Sequence, residues 1–195
     1  MRICIASKYV LCLLMICYFL PGPRIEGKEN SASENRESLV ESIVDGPVSI
    51  RHFGVEPGNT PEVNRDNLQR AIDWAAYRGA ALYVEPSEEP YPVASGVLLK
   101  QNVSLVGAHG PTGRGTCHPE KRQPVGSVFA VRDAKAPFIT VENATQIRGI
   151  QFWYPEQTLR DPEKVIEYPP TIQVSQSKSV QGVTLSSLTF YGEFI

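Results

Sequence analysis

Apolar residues recur along this chain at two different spacings. Leu68, Ala71, Ile72, Ala75 and Ala76 fall at helical intervals and leave one apolar stripe, with Asp66, Arg70 and Asp73 on the wet side. The spacing predicts a helix over 65–78, with Asn64 as its N-cap and Gly79 closing it in the left-handed conformation. Ahead of it, Val48, Ile50 and Phe53 alternate as a short strand and Pro57-Gly58-Asn59 marks a turn. Behind it, Ala81 to Val84 (ALYV) reads as a strand, followed by a stretch broken by Pro86, Pro90 and Pro92. From Val97 on, the period is two: Val97 and Leu99, then Val103 and Leu105 before Gly107.

The strand pattern repeats. PFITVENATQIRGIQF and PTIQVSQSKSVQGVTL align without a gap at an offset of 33 residues, which sets Pro137 on Pro170, Ile139 on Ile172 and Val141 on Val174. Further on it sets Ile147 on Val180, Gly149 on Gly182, Ile150 on Val183 and Phe152 on Leu185, and Val97 to Gly107 is a shorter third copy. Short strands and tight corners with no helix between them predict a β-solenoid, whose coils stack in parallel and point alternate side chains into one apolar column. The rest of each offset is a loop, such as Thr158 to Pro170. A β-sandwich is the rival, but it does not demand an ungapped repeat with glycine in one corner. The helix then has a physical task, because a solenoid end exposes strand edges and apolar side chains that an amphipathic helix can cover.

The start of the chain bears on location. Arg2 and Lys8 precede the apolar run Tyr9 to Leu20, and Pro21, Gly22 and Pro23 end it, which are the parts of a secretory signal. The run is short for a membrane span, which needs about 20 apolar residues, and an uncleaved anchor is the alternative. Ile25 and Gly27 occupy the positions a signal peptidase inspects, so residues 1–27 are expected to be removed. The expected location is secreted, periplasmic or extracellular, with no stable membrane insertion after cleavage. Residues 28–46 read as a polar flexible leader with a short apolar patch at Leu39, Val40, Ile43 and Val44. Residues 47–195 remain as one domain. Cys4, Cys12 and Cys17 lie in the signal, so Cys117 is the mature chain's single thiol and no internal disulfide is expected. A net charge of −2 supplies no basic field for nucleic acid, and His118, Lys121 and Arg122 read as a solvated turn.

The run IRHFGVEPGNTPEVNRDNLQRAIDWAAYRGAALYVEP, followed by YPVASGVLLKQNVSLVG, resembles the N-terminal part of the pectate lyase superfamily, and in particular its rhamnogalacturonase-like and epimerase-like secreted members. Phe53, Gly54, Asn64, Leu68, Gln69, Ala71, Ile72, Asp73, Pro86, Tyr91 and Gly107 match the family pattern. Pro57-Gly58-Asn59 stands where the family has an Asp-Gly turn, Val63 where it has the first cap aspartate, and Arg65 where it has a threonine. The stretch Glu85 to Tyr91 is also longer than the family's own. These departures shape the cap and leave the chemistry untouched. The resemblance covers about residues 48–107 and implies an all-β, right-handed parallel β-helix with an N-terminal capping α-helix. It further implies a sugar groove along one face, with either carboxylates for hydrolysis or a basic residue for a lyase step.

Within these residues no catalytic constellation is visible. Asp133, Glu142 and Asp161 are scattered and read as turn residues, and Arg148, just before a corner glycine, reads as an outward surface residue. No His, Cys and Asp spacing points to a metal, and no cofactor is implied. Trp153 and Tyr154 are the candidate substrate-binding pair, since exposed rings can stack on sugars; packing of one ring into the core is the alternative. Asn102-Val103-Ser104 and Asn143-Ala144-Thr145 fit the N-glycosylation pattern. At the end, Val183, Leu185, Leu188 and Phe190 are inward positions with no following coil, so the expectation is a β-helix truncated at its C-terminus or, if the chain is complete, one that self-associates through its open C-terminal coil. Two functions stand. One is the N-terminal part of a carbohydrate-active enzyme, a polysaccharide lyase or glycoside hydrolase; the other is a non-catalytic glycan-binding, structural or adhesive β-helix, or an inactive fragment.

Overall fold

The computed structural model describes residues 46–108, 123–133, 135–157, 162–177 and 179–192. The signal and leader segments, Cys117, His118, Lys121, Arg122 and Asp161 lie outside the described residues.

Twelve short strands and one α-helix make up the described chain, apart from two 3₁₀ turns. In chain order the strands are β1 (Val48–Ser49), β2 (Ala81–Val84), β3 (Tyr91–Val93), β4 (Val97–Leu99), β5 (Ser104–Gly107) and β6 (Val128–Val131). They continue as β7 (Ile139–Val141), β8 (Gln146–Arg148), β9 (Gln151–Trp153), β10 (Ile172–Val174), β11 (Thr184–Ser186) and β12 (Thr189–Tyr191). The helix, α1, is Pro61–Arg78.

All the strand pairs are parallel, and they form three sheets. The first is β1-β2-β5-β8-β11, the second β4-β7-β10 and the third β3-β6-β9-β12. From β2 onward the chain visits the first, third and second sheets in rotation and returns to each one layer on. The core is the space the three sheets share. Leu82, Leu105 and Ile147 form one buried column from the first sheet, and Tyr91, Phe129 and Phe152 form another from the third. The aromatic column is continuous, with ring centroids 6.5, 6.3 and 5.3 Å apart from Tyr91 through Phe129 and Phe152 to Phe190.

The repeat is half right in its register. Ile139 pairs with Ile172 and Val141 with Val174, as the 33-residue offset requires. Beyond that strand the structure departs from it: Ile147 pairs with Leu185, not Val180, and Phe152 with Phe190, not Leu185. Leu82, Leu105, Ile147 and Leu185 follow one another at intervals of 23, 42 and 38 residues. The cause is corners of unequal length, since extra residues are inserted between β5 and β6, between β9 and β10, and between β10 and β11. Gly182 therefore does not occupy the corner of Gly149. It lies over Ala144, whose Cα would stand 3.6 Å from a Cβ on Gly182. Asn102, Ala144 and Gly182 all take positive φ, at 63°, 51° and 72°, in successive layers of that one corner.

The helix begins earlier than its apolar stripe. Thr60 is the N-cap, accepting from Val63 N, and Pro61 opens the first turn, where its missing N–H is no loss. Gly79 closes the helix with φ 65°, as its sequence position indicated. Asn64 is inside the helix and fully buried, and it belongs to the edge of the sheets instead. Its Nδ2 donates to Pro92 O (2.8 Å) on β3, and Gln69 pairs with both Leu98 N (2.9 Å) and Leu98 O (3.1 Å) on β4. Two side chains thus take the place of a next strand on two edges, while β1 covers β2. Pro92 fits here because a residue's N–H and C=O point to the same side of a strand, so its absent N–H would have faced the helix.

At the other end the layer of β10, β11 and β12 leaves one large apolar residue from each sheet exposed: Val174 (51%), Leu185 (47%) and Phe190 (43%). Among the described residues no helix is long and apolar enough to cross a membrane.

Candidate functional site

The outer faces of the sheets differ in what they offer. On the first sheet, register aligns Ser49, Tyr83, Val106, Arg148 and Ser186 in one outward row. Ala81, Ser104, Gln146 and Thr184 form the second row. None of these residues is buried, and Arg148 and Thr184 are exposed. Alternation places them there, because Leu82, Leu105 and Ile147 take the inward positions between them. The result is an open face of hydroxyls and amides with one aromatic ring and one guanidinium. Its chemistry is that of a hydrogen-bonding surface with a single anion-pairing group.

The third sheet is more closed. Trp153 is half-buried, in register with Ala130 on one side and Tyr191 on the other. Val128 and Ala130 point away from Phe129, yet both are buried, so this outer face is covered over β6. Tyr154 is a core residue, 2% exposed, with its ring 4.5 Å from that of Tyr168 and its hydroxyl 2.5 Å from Thr171 Oγ1. Neither face of that ring is open to a ligand. Of the sequence's candidate pair, Trp153 alone keeps surface. Gln151 lies beside it with Nε2 on Val125 O (3.0 Å) and its buried Oε1 unpaired.

The carboxylates singled out in the sequence act locally. Asp133 Oδ1 accepts Lys135 N (3.0 Å), and Glu142 Oε2 accepts Gln101 N (3.2 Å) across a corner. Two other carboxylates do share a partner. Arg51 lies 2.9 Å from Glu85 and 3.4 Å from Glu56, and its Nε also donates to the buried Tyr91 hydroxyl at 2.9 Å. Burial pushes the Tyr91 hydroxyl above its ordinary pKa although the guanidinium opposes the shift. The hydrogen bond to Tyr91, ahead of the two carboxylates, in turn raises Arg51. One guanidinium therefore pairs with both carboxylates and satisfies the top of the aromatic column, which is a packing arrangement and leaves no free acid and base pair. Sequence inspection could not have found it, since residues 51, 56, 85 and 91 meet only when β3 is laid under the first corner. Among the described residues, no group of three or more His, Cys, Asp or Glu could hold a metal ion.

No family model matches the chain, and no match to it was found among curated proteins or solved structures.

Proposed function

We propose that this chain is a secreted, right-handed parallel β-helix of the pectate lyase superfamily type that binds an acidic polysaccharide on the outer face of its first sheet. Three parallel sheets visited in rotation, with a helix over one end, support the β-helix reading. Connections between parallel strands of one sheet are right-handed in nearly all proteins because of strand twist, which supports the hand. The observation that carries the function is the open double row centred on Arg148 and Gln146, where a uronate carboxylate meets a guanidinium and sugar hydroxyls meet Gln146, Ser104 and Thr184. Tyr83 adds a ring for stacking, and Trp153 offers a smaller, half-buried second contact.

The test is calorimetric titration of the chain with a uronic-acid polymer and with a neutral glucan, repeated for Arg148→Ala. Saturable binding of the acidic polymer, weakened about tenfold or ~1.4 kcal/mol by the substitution, is expected. Equal binding of both polymers, or none, defeats the proposal. A rise in absorbance from unsaturated products during the same incubation would make the protein a lyase, and release of reducing ends without it a hydrolase. A non-catalytic binding role is the second reading, favoured by the local ties of Asp133 and Glu142 to corner backbone. The same proposal includes self-association through Val174, Leu185 and Phe190, and a monomer at every concentration in sedimentation would remove that part.

A further inference from the structure

The two N-glycosylation patterns look alike as sequence, but the fold treats them differently. Both lie at the corner between the second and first sheets, in successive layers, and Asn102 N donates to Asn143 O at 3.2 Å. Asn102 is exposed, takes φ 63°, which asparagine tolerates better than most residues, and its side chain has no hydrogen-bond partner among the described residues. Asn143 is half-buried and its Oδ1 accepts Gln181 N at 2.7 Å, tying its layer to the next. The hydroxyl of its pattern is also consumed, because Thr145 is 2% exposed and donates to Glu142 O at 3.0 Å.

We propose that Asn102 is an N-glycan acceptor and that Asn143 stays unmodified in the folded protein. In the transfer, the C1–O bond of a lipid-diphosphate-linked oligosaccharide breaks and a C1–Nδ2 bond forms. The lipid diphosphate leaves with the electron pair, and Nδ2 gives up one proton. A glycan on Asn102 leaves directly into solvent. On Asn143 it would emerge beside Gln181 of the next layer, whose N–H already donates to the Asn143 side chain. The product has a defined place: Ser104 stands in the outward polar row of the first sheet, so the glycan borders that face.

The inference rests on the secretory part of the proposed function, and its test separates the two. The full chain is produced in a eukaryotic secretory host, once with its own first 27 residues and once with the host's signal in their place. Peptide mass mapping before and after N-glycanase gives the occupancy. One glycan at Asn102 in the secreted, folded protein is expected, lost in Asn102→Gln and in Ser104→Ala and kept in Asn143→Gln. Ser104→Ala leaves the backbone at residue 102 as it was, so a folding defect of the glutamine variant does not blur the result. Modification only behind the host signal would refute secretion by this chain's own leader and leave the Asn102 assignment standing. An unmodified Asn102 in the secreted protein, or equal occupancy at Asn143, overturns it.

Discussion

Replacing Asn64 by alanine removes four hydrogen bonds at one fully buried side chain. Its Oδ1 accepts Glu56 N (2.9 Å) and Asn59 Nδ2 (3.0 Å), and its Nδ2 donates to Glu56 O (2.7 Å) and Pro92 O (2.8 Å). Two backbone groups are orphaned, Glu56 N and the Pro92 carbonyl, because Glu56 O keeps its bond from Asn59 N (3.2 Å). An orphaned buried group costs about 1–3 kcal/mol, and the low end applies because Glu56 and Pro92 are only half-buried. Alanine returns about half a kcal/mol of helix propensity. The expected net loss is about 1.5 kcal/mol, read as a lower urea midpoint at unchanged slope, with faster amide exchange at Glu56. Asn64→Asp should be worse still, since it keeps the acceptor, loses both donors and sets a charge against two carbonyl oxygens. If alanine proves neutral or stabilising, or aspartate is tolerated as well as alanine, the edge-capping argument is wrong and Asn64 is an ordinary helix residue.

Four further substitutions have expected outcomes. Phe129→Ala, at the centre of the aromatic column between Tyr91, Phe138 and Phe152, should cost about 3–5 kcal/mol. Phe190→Ala at the half-exposed end should cost clearly less in the same denaturation series. Gly107→Ala should leave little folded protein by circular dichroism, because the added Cβ would lie 2.4 Å from Gly149 O and 2.6 Å from Ser127 Cβ. Partial burial raises the Asp73 carboxyl, but hydrogen bonds from Lys100 and Gln69 and the charge of Lys100 outweigh it and hold its pKa below the ordinary value. A depressed carboxylate stabilises the fold above its unfolded pKa of about 3.9 and loses that contribution as pH falls through the folded value. Asp73→Asn should therefore flatten the acid limb of stability against pH, and an unchanged limb would refute the link.

How much was legible in the sequence follows the range of each interaction. The apolar stripe of α1, its end at Gly79, the strands at Ala81–Val84, Val97–Leu99 and Ile139–Val141, and the pairing of Ile139 with Ile172 were all readable. Each depends on residues a few positions apart, or on a repeat uninterrupted by insertion, so periodicity carries the information. The placement of Trp153 and Tyr154 was half readable. Two adjacent aromatics on a strand end must face opposite ways, and only packing determines that Tyr154 takes the inside while Trp153 keeps some surface.

What only the tertiary structure decided are the matches across corners of unequal length. Inserted segments shift the offset from layer to layer, so the glycines at 149 and 182, identical in the aligned repeat, serve different corners. The same holds for Asn64 and Gln69, whose partners at Pro92 and Leu98 are backbone atoms of strands the helix reaches only after folding. The Arg148 row and the contrast between Asn102 and Asn143 likewise exist only once layers are in register. The sequence by itself determined which residues want to be inside and at what local period. Register, edge coverage and the chemistry of each outer face came from how the layers stack, because a strand cannot carry in its own residues the length of the corner that delivers its neighbour.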